Sequence, residues 1–195
     1  MIVSRQLRRA MLIGSIIVAP GLMGSPAQAE SDPAAPVFAT QQEMLRAGVL
    51  KTTRKSISYK GTEKPGTIII DTEDRSLLLI TTNGRAYLYK IGVGRPGFEW
   101  RGTHAISRKS EWPDWYPPEE MRQRQPYLPA RMEGGPQNPL GARAIYLGST
   151  LYRIHGTNEA WTIGSAMSSG CFRMLNDDVV DLYERVEIGA KVIVK

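Results

Sequence analysis

The tightest constraint on the fold is the pair Asn83-Gly84, set between two apolar runs. Such a pair is a hairpin signal, because the favoured tight turn needs a positive φ at its central residues, which Asn and Gly supply at low cost. Arg75 to Thr81 and Ala86 to Val93 are therefore predicted to be paired strands. Thr67-Ile68-Ile69-Ile70-Asp71 adds a strand ahead of them. Ala142 to Leu147 and Leu151 to His155 form a second predicted pair turning at Gly148-Ser149, and Lys191 to Val194 follows Gly189 as a last strand. Asn176 is placed as the cap of a helix whose Val179, Val180, Leu182 and Tyr183 share one face, with Asp177 and Asp178 suited to its positive end. The expectation is a mainly β single domain over 64–195, with a short helix near its C-terminus.

Two stretches break the strand pattern. Gly92 to Gly102, with Gly94, Pro96 and Gly97, is predicted to be a loop. About Glu99 to Gly141 reads as a long irregular insertion carrying Trp100, Trp112, Trp115, Tyr116, Pro117, Pro118 and Gly134-Gly135-Pro136. Irregular segments of that length inside a domain are often functional. Its aromatics either wall a substrate groove or pack over an open side of the sheet.

The first 29 residues read as a signal peptide. Arg5, Arg8 and Arg9 precede an apolar run from Ala10 to Met23, and Ala27-Gln28-Ala29 has the small residues that a signal peptidase reads. The apolar run is short for a membrane span, so no stable span is expected after cleavage, with a retained anchor as the alternative. The Arg8-Arg9 pair is a weak match to twin-arginine export, and the lack of a cysteine after Ala29 argues against a lipid-modified N-terminus. Residues 30–63 read as a tether, with Pro33-Ala34-Ala35-Pro36 as linker and a short helix over Gln41 to Leu50. Export is the expectation, to the periplasm or cell envelope. Three of the 25 Lys and Arg lie in the signal and none of the 19 acids do, leaving 22 against 19, or a net +3. That balance gives no case for nucleic acid.

The cysteine count narrows the chemistry. One cysteine cannot form an internal disulfide, and a free thiol in an oxidising compartment is a liability unless it is buried and inert or has a use. Two segments hold the candidates for that use: Ile154-His155-Gly156-Thr157-Asn158 and Ser168-Ser169-Gly170-Cys171-Phe172-Arg173-Met174. A thiol attacks as thiolate, and His155 is placed to take its proton. Gly156 and Gly170 free the backbone for close approach, the N–H groups of Gly170 and Cys171 are candidates for an oxyanion site, and Ser168 and Ser169 leave room for an acyl group. One Cys and two His without close ligand pairs do not assemble a zinc centre, so neither a metal nor a cofactor is expected.

The pair His155-Gly156 and, sixteen residues on from the histidine, Ser169-Gly170-Cys171-Phe172-Arg173-Met174 resemble the L,D-transpeptidase catalytic domain, the YkuD-like family. The resemblance runs from Pro65 to Lys195 and takes in Gly92-Val93-Gly94, Asn138-Pro139-Leu140-Gly141 and the Asn176 helix. It implies a β-sandwich and cysteine acyl transfer on peptidoglycan stem peptides, with Cys171 attacking the carbonyl before a terminal D-alanine. His155 would then act as base and afterwards as acid. Arg173 would hold a substrate carboxylate or brace the loop. Asn158 or a backbone carbonyl would orient His155. The chain departs from some relatives at Ser169, where they carry a second histidine, and Phe172 stands where an aliphatic residue is commoner. His104 matches no family motif and is read as a surface or loop residue. Three readings follow: a transpeptidase that cross-links stems or attaches an envelope protein to them, a hydrolase using the same site, and a catalytically silent wall-binding module. The intact His155 and Cys171 argue against the third.

Overall fold

The computed structural model describes residues 51–195. The predicted signal peptide and the helix over Gln41 to Leu50 lie outside the described residues. In chain order the strands are β1 (Lys55–Ser58), β2 (Ile68–Asp71), β3 (Ser76–Ile80), β4 (Arg85–Lys90), β5 (Val93–Gly94), β6 (Gly102–Glu111), β7 (Arg143–Leu147), β8 (Arg153–His155), β9 (Ala166–Ser168), β10 (Phe172–Arg173) and β11 (Lys191–Val194). Two helices, α1 (Glu119–Arg124) and α2 (Asn176–Arg185), complete the set with a 3-10 turn at Ala160–Thr162.

The hairpin forms as read. β3 and β4 pair antiparallel with Leu78 opposite Leu88, and Asn83 and Gly84 both sit at positive φ, 58° and 64°. Nine strands run in the order β1-β4-β3-β2-β11-β6-β7-β8-β10, and β5 pairs with β9 apart from them. β6 joins the two halves of this array. Its first residues pair with β11 and its later ones with β7, with the register shifting between Ile106 and Arg108. A bulge of this kind bends the strand and lets it serve two sheets. Inward residues from both halves, including Ile68, Leu77, Tyr89, Ile106, Ile145, Ile154 and Phe172, meet Val179 and Leu182 of α2 in one buried core. The mainly β sandwich with a helix near its C-terminus is thus the observed architecture.

The structure corrects three local expectations. The loop and irregular insertion expected from Gly92 onward hold the ten-residue strand β6, and α1 lies within the insertion too. The tether expected over 30–63 contains β1, which pairs along β4 with Lys55 opposite Leu88. Just ahead of it, Thr53 donates its N–H and hydroxyl to the buried Asp178 carboxylate of α2, and its hydroxyl accepts the Lys90 N–H at 2.9 Å. The folded unit therefore begins before residue 64. Finally, Asn176 is the first residue of α2 and not its cap. Its Oδ1 accepts the Ala142 N–H at 2.9 Å and its Nδ2 donates to the Thr157 carbonyl at 3.1 Å. The side chain is spent on joining the entry to β7 to the segment after β8, so it cannot turn back onto its own helix.

Candidate active site

β8 and β10 run parallel, with Ile154 opposite Phe172 and His155 opposite Arg173. Ile154 and Phe172 are buried in the core, so strand alternation turns Arg153, His155, Cys171 and Arg173 to the opposite face. Cys171 immediately precedes β10, one residue before the Phe172–Ile154 pair and two before the Arg173–His155 pair. The fold thus brings together the two segments that the sequence singled out.

His155 is buried, and its Nδ1 lies 2.6 Å from the Gly156 carbonyl oxygen. A carbonyl only accepts, so Nδ1 carries the proton and Nε2 keeps its lone pair. Burial first, then the positive charge of Arg173, pushes the imidazole from its ordinary 6.5 down to about 3, against the opposing pull of the Gly156 carbonyl. The ring is therefore neutral at neutral pH, with the Nε2 lone pair unprotonated. Of the two orienting groups left open by the sequence, the structure uses the backbone carbonyl. Asn158 is exposed and donates instead to the Gln137 carbonyl at 3.0 Å.

The same burial makes a stability prediction. The folded pKa lies below the unfolded one, so between the two the unfolded chain binds the extra proton, and stability is present above about 6.5 and lost as pH falls toward 3. The loss is about 1.4 kcal/mol per pH unit. Urea unfolding at pH 7 and 4.5 should show wild type losing about 2–3 kcal/mol more than His155→Gln over that interval. Equal losses would contradict a neutral buried ring.

The loop before Cys171 is held from several sides. Gly170 sits at φ 101°, and a Cβ there would come 2.6 Å from Cε1 of Tyr152. Its carbonyl accepts the Trp100 indole N–H at 2.8 Å, and Trp100 stacks on Tyr152 with centroids 4.4 Å apart. Trp100 also touches Phe172 and His104. His104 lies on β6 and Tyr152 gave no signal in the sequence, because only the folded register brings these rings together. Phe172 fills the core, as its bulk allows.

Several sequence-derived roles change here. The Gly170 N–H donates to Ser168 Oγ at 3.2 Å, while the Cys171 N–H has no acceptor among the described residues, so of the two oxyanion candidates only Cys171 presents an uncommitted donor. The Ser168 hydroxyl donates to the Cys171 carbonyl at 2.5 Å. Ser169 Oγ accepts from Arg95 at 2.8 Å and so braces the loop. Gly156 makes room for Asn176, whose Oδ1 would lie 2.2 Å from an added Cβ, and not for substrate. Arg173 bonds Glu159 at 3.0 Å and Thr162 Oγ1 at 3.3 Å, a bracing contact. No group of three or more His, Cys, Asp or Glu side chains is arranged to hold a metal among the described residues.

This is a β-sandwich domain that carries a neutral histidine on β8 and a cysteine immediately before the adjacent parallel strand β10, at one end of its main sheet. Residues 65–194 match the model of the L,D-transpeptidase catalytic domain, YkuD. Probable L,D-transpeptidase ErfK/SrfK of Escherichia coli is 34% identical over 171 residues, which are 84% of this chain and 53% of that protein. A structure from Brucella melitensis, described as a probable carnitine operon oxidoreductase, is 45% identical with a TM-score of 0.51, over 80% of this chain and all of that one. An L,D-transpeptidase from Mycobacterium smegmatis shares the fold at 17% identity, with a TM-score of 0.52 over 66% of this chain and 58% of that one. The chain belongs to the L,D-transpeptidase catalytic domain family. It spans about half the length of the curated E. coli relative.

Proposed function

We propose that this chain is an exported peptidoglycan L,D-transpeptidase acting in the periplasm or cell envelope, with Cys171 as nucleophile and His155 as base. The observation that carries the proposal is the parallel β8–β10 pairing, which sets a neutral His155 with a free Nε2 on the same face as Cys171. Nε2 takes the Sγ proton as sulfur attacks the stem carbonyl before the terminal D-alanine. The Cys171 N–H meets the developing oxyanion. The C–N bond breaks, the imidazolium returns its proton to the leaving amine, and a thioester remains. An amine of another stem, or of an envelope protein, then displaces the sulfur and completes the transfer. Arg173, Ser169 and Gly156 shape the site around this chemistry, held by Glu159, Arg95 and Asn176 respectively.

Water in place of the amine would make the same site a hydrolase. The test is intact-protein mass spectrometry of the mature chain with a disaccharide-tetrapeptide, beside Cys171→Ala, with released products followed in parallel. A thioester-sized mass gain in wild type alone, with cross-linked dimers, is the expected result. Shortened stems without dimers would turn the proposal to hydrolysis, and a folded wild type giving neither adduct nor product would defeat both.

A further inference from the structure

The face that carries Cys171 continues across the sheet as a row in register. Cys171 Sγ lies 3.9 Å from the carbonyl of Leu151, two residues before Arg153 of β8; Arg153 pairs with Tyr146 of β7, and Tyr146 pairs with Arg108 of β6. Arg108 Cζ sits 3.6 Å and Arg153 Cζ 5.4 Å from the Tyr146 ring centroid, so the two guanidinium carbons lie no more than about 9 Å apart. These residues floor a groove of about 500 Å³ whose wall includes Tyr116 and Asp114 of the aromatic insertion.

The groove is cationic. Neither Arg108 nor Arg153 has a carboxylate partner within 4 Å among the described residues, whereas Asp114 is already bonded by Arg131 and the Gly134 N–H. Two guanidiniums without a carboxylate partner, Arg153 spending its Nε and Nη2 on the Leu151 carbonyl and keeping its other N–H groups, are backed by one aromatic ring and form a site for anions. The groove also reaches the thiol. Leu151, which lines it, has its carbonyl oxygen 3.0 Å from Arg153 Nη2 and 3.9 Å from Cys171 Sγ, which puts that nitrogen within about 7 Å of the sulfur. His155 and Arg153 lie on opposite sides of Ile154 along β8. With the leaving amine at His155, the Arg153 end of β8 is the end open to the acyl chain bonded to sulfur.

We infer that Arg153 and Arg108 are specificity-determining residues that bind two carboxylates on the acyl portion of the donor stem, with Tyr146 holding their spacing. This rests on the acyl-transfer reading above and names the part of the substrate the groove selects. Aliphatic or amidated stems would lack the anions that the two guanidiniums take up.

The test compares two synthetic donor tetrapeptides, one with two free side carboxylates and one with both as carboxamides, by the rate of D-alanine release. Wild type should prefer the free acid by about 10- to 100-fold in kcat/KM, carried mainly by KM. Arg153→Gln and Arg108→Gln should each cut the ratio of the two rates at least fivefold, and Arg153→Lys should restore part of it. Equal rates for both peptides in wild type, or a preference that survives both Gln variants, would overturn the inference and leave the acylation chemistry standing. Failure of wild type to release D-alanine from either peptide would instead defeat the acyl-transfer reading, and this inference with it.

Discussion

Replacing His155 with Gln should slow acylation of Cys171 by stem tetrapeptide about 10²- to 10⁴-fold, the range expected when a positioned general base is lost. Gln keeps a donor able to reach the Gly156 carbonyl, which His155 Nδ1 holds at 2.6 Å, so the backbone of β8 has reason to stay in place. What disappears is the lone pair at Nε2. Single-turnover kinetics by rapid-quench mass spectrometry would measure the effect, and alkylation of Cys171 by iodoacetamide would show that the thiol remains accessible. A variant with wild-type acylation would remove His155 from the mechanism. The rate should also rise with pH in the variant more steeply than in wild type, because the thiolate must then come from solvent alone.

Asp178→Ala should cost about 3 kcal/mol, the sum of several donors left without an acceptor in a buried place. The Asp178 carboxylate is fully buried and accepts the Thr52 hydroxyl at 2.6 Å, the Thr53 N–H at 3.0 Å and the Thr53 hydroxyl at 2.7 Å. Thr53 Oγ1 in turn accepts the Lys90 N–H, so one carboxylate ties the segment before β1 to both α2 and β4. A melting temperature lower by about 6–12 °C is expected for a domain of this size. Proteolysis should then cut near 51–58 before the rest of the domain. Asp178→Asn keeps one acceptor and should fall between. A melting temperature within 2 °C of wild type for Asp178→Ala would mean that the clamp contributes little.

A second polar cluster lies close by on α2. Asp181 is held down to about 2: burial alone would raise it, but hydrogen bonds from Arg185, Tyr89 and Arg54 outweigh that. The N-terminal segment is thus fastened twice to the same helix, at Asp178 and at Asp181. Both fastenings join residues more than 120 positions apart, and only the folded chain reveals them.

What the sequence disclosed follows from which residues face the core. β2 and β3 carry Ile68, Ile70, Leu77 and Leu79 inward on a period of two, and that alternation is a local signal. β6 carries only Ile106 as a buried residue among Gly102–Glu111, with polar side chains on both faces, so nothing in its own composition announces a strand. It is a strand because β11 and β7 present their edges to it. β1 is hidden for the same reason. His155 and Cys171 were legible because a reactive pair with its flanking glycines forms a local motif. The row Arg153, Tyr146, Arg108 is a matter of register between three strands, which no single segment encodes. The amide of Asn176 was read from its commonest local use, and tertiary structure had claimed it for something else.

β11 follows every other described strand in the chain, yet it lies in the middle of the main sheet, parallel to β2 and antiparallel to β6. In the main sheet the β1–β4 portion therefore meets the β6–β10 portion through Lys191–Val194. Pairings that span most of the chain are slow to form, because a long loop must close before any contact rewards it. The main sheet is complete only once Lys191–Val194 has paired between β2 and β6, so its closure is a late, long-range event in folding.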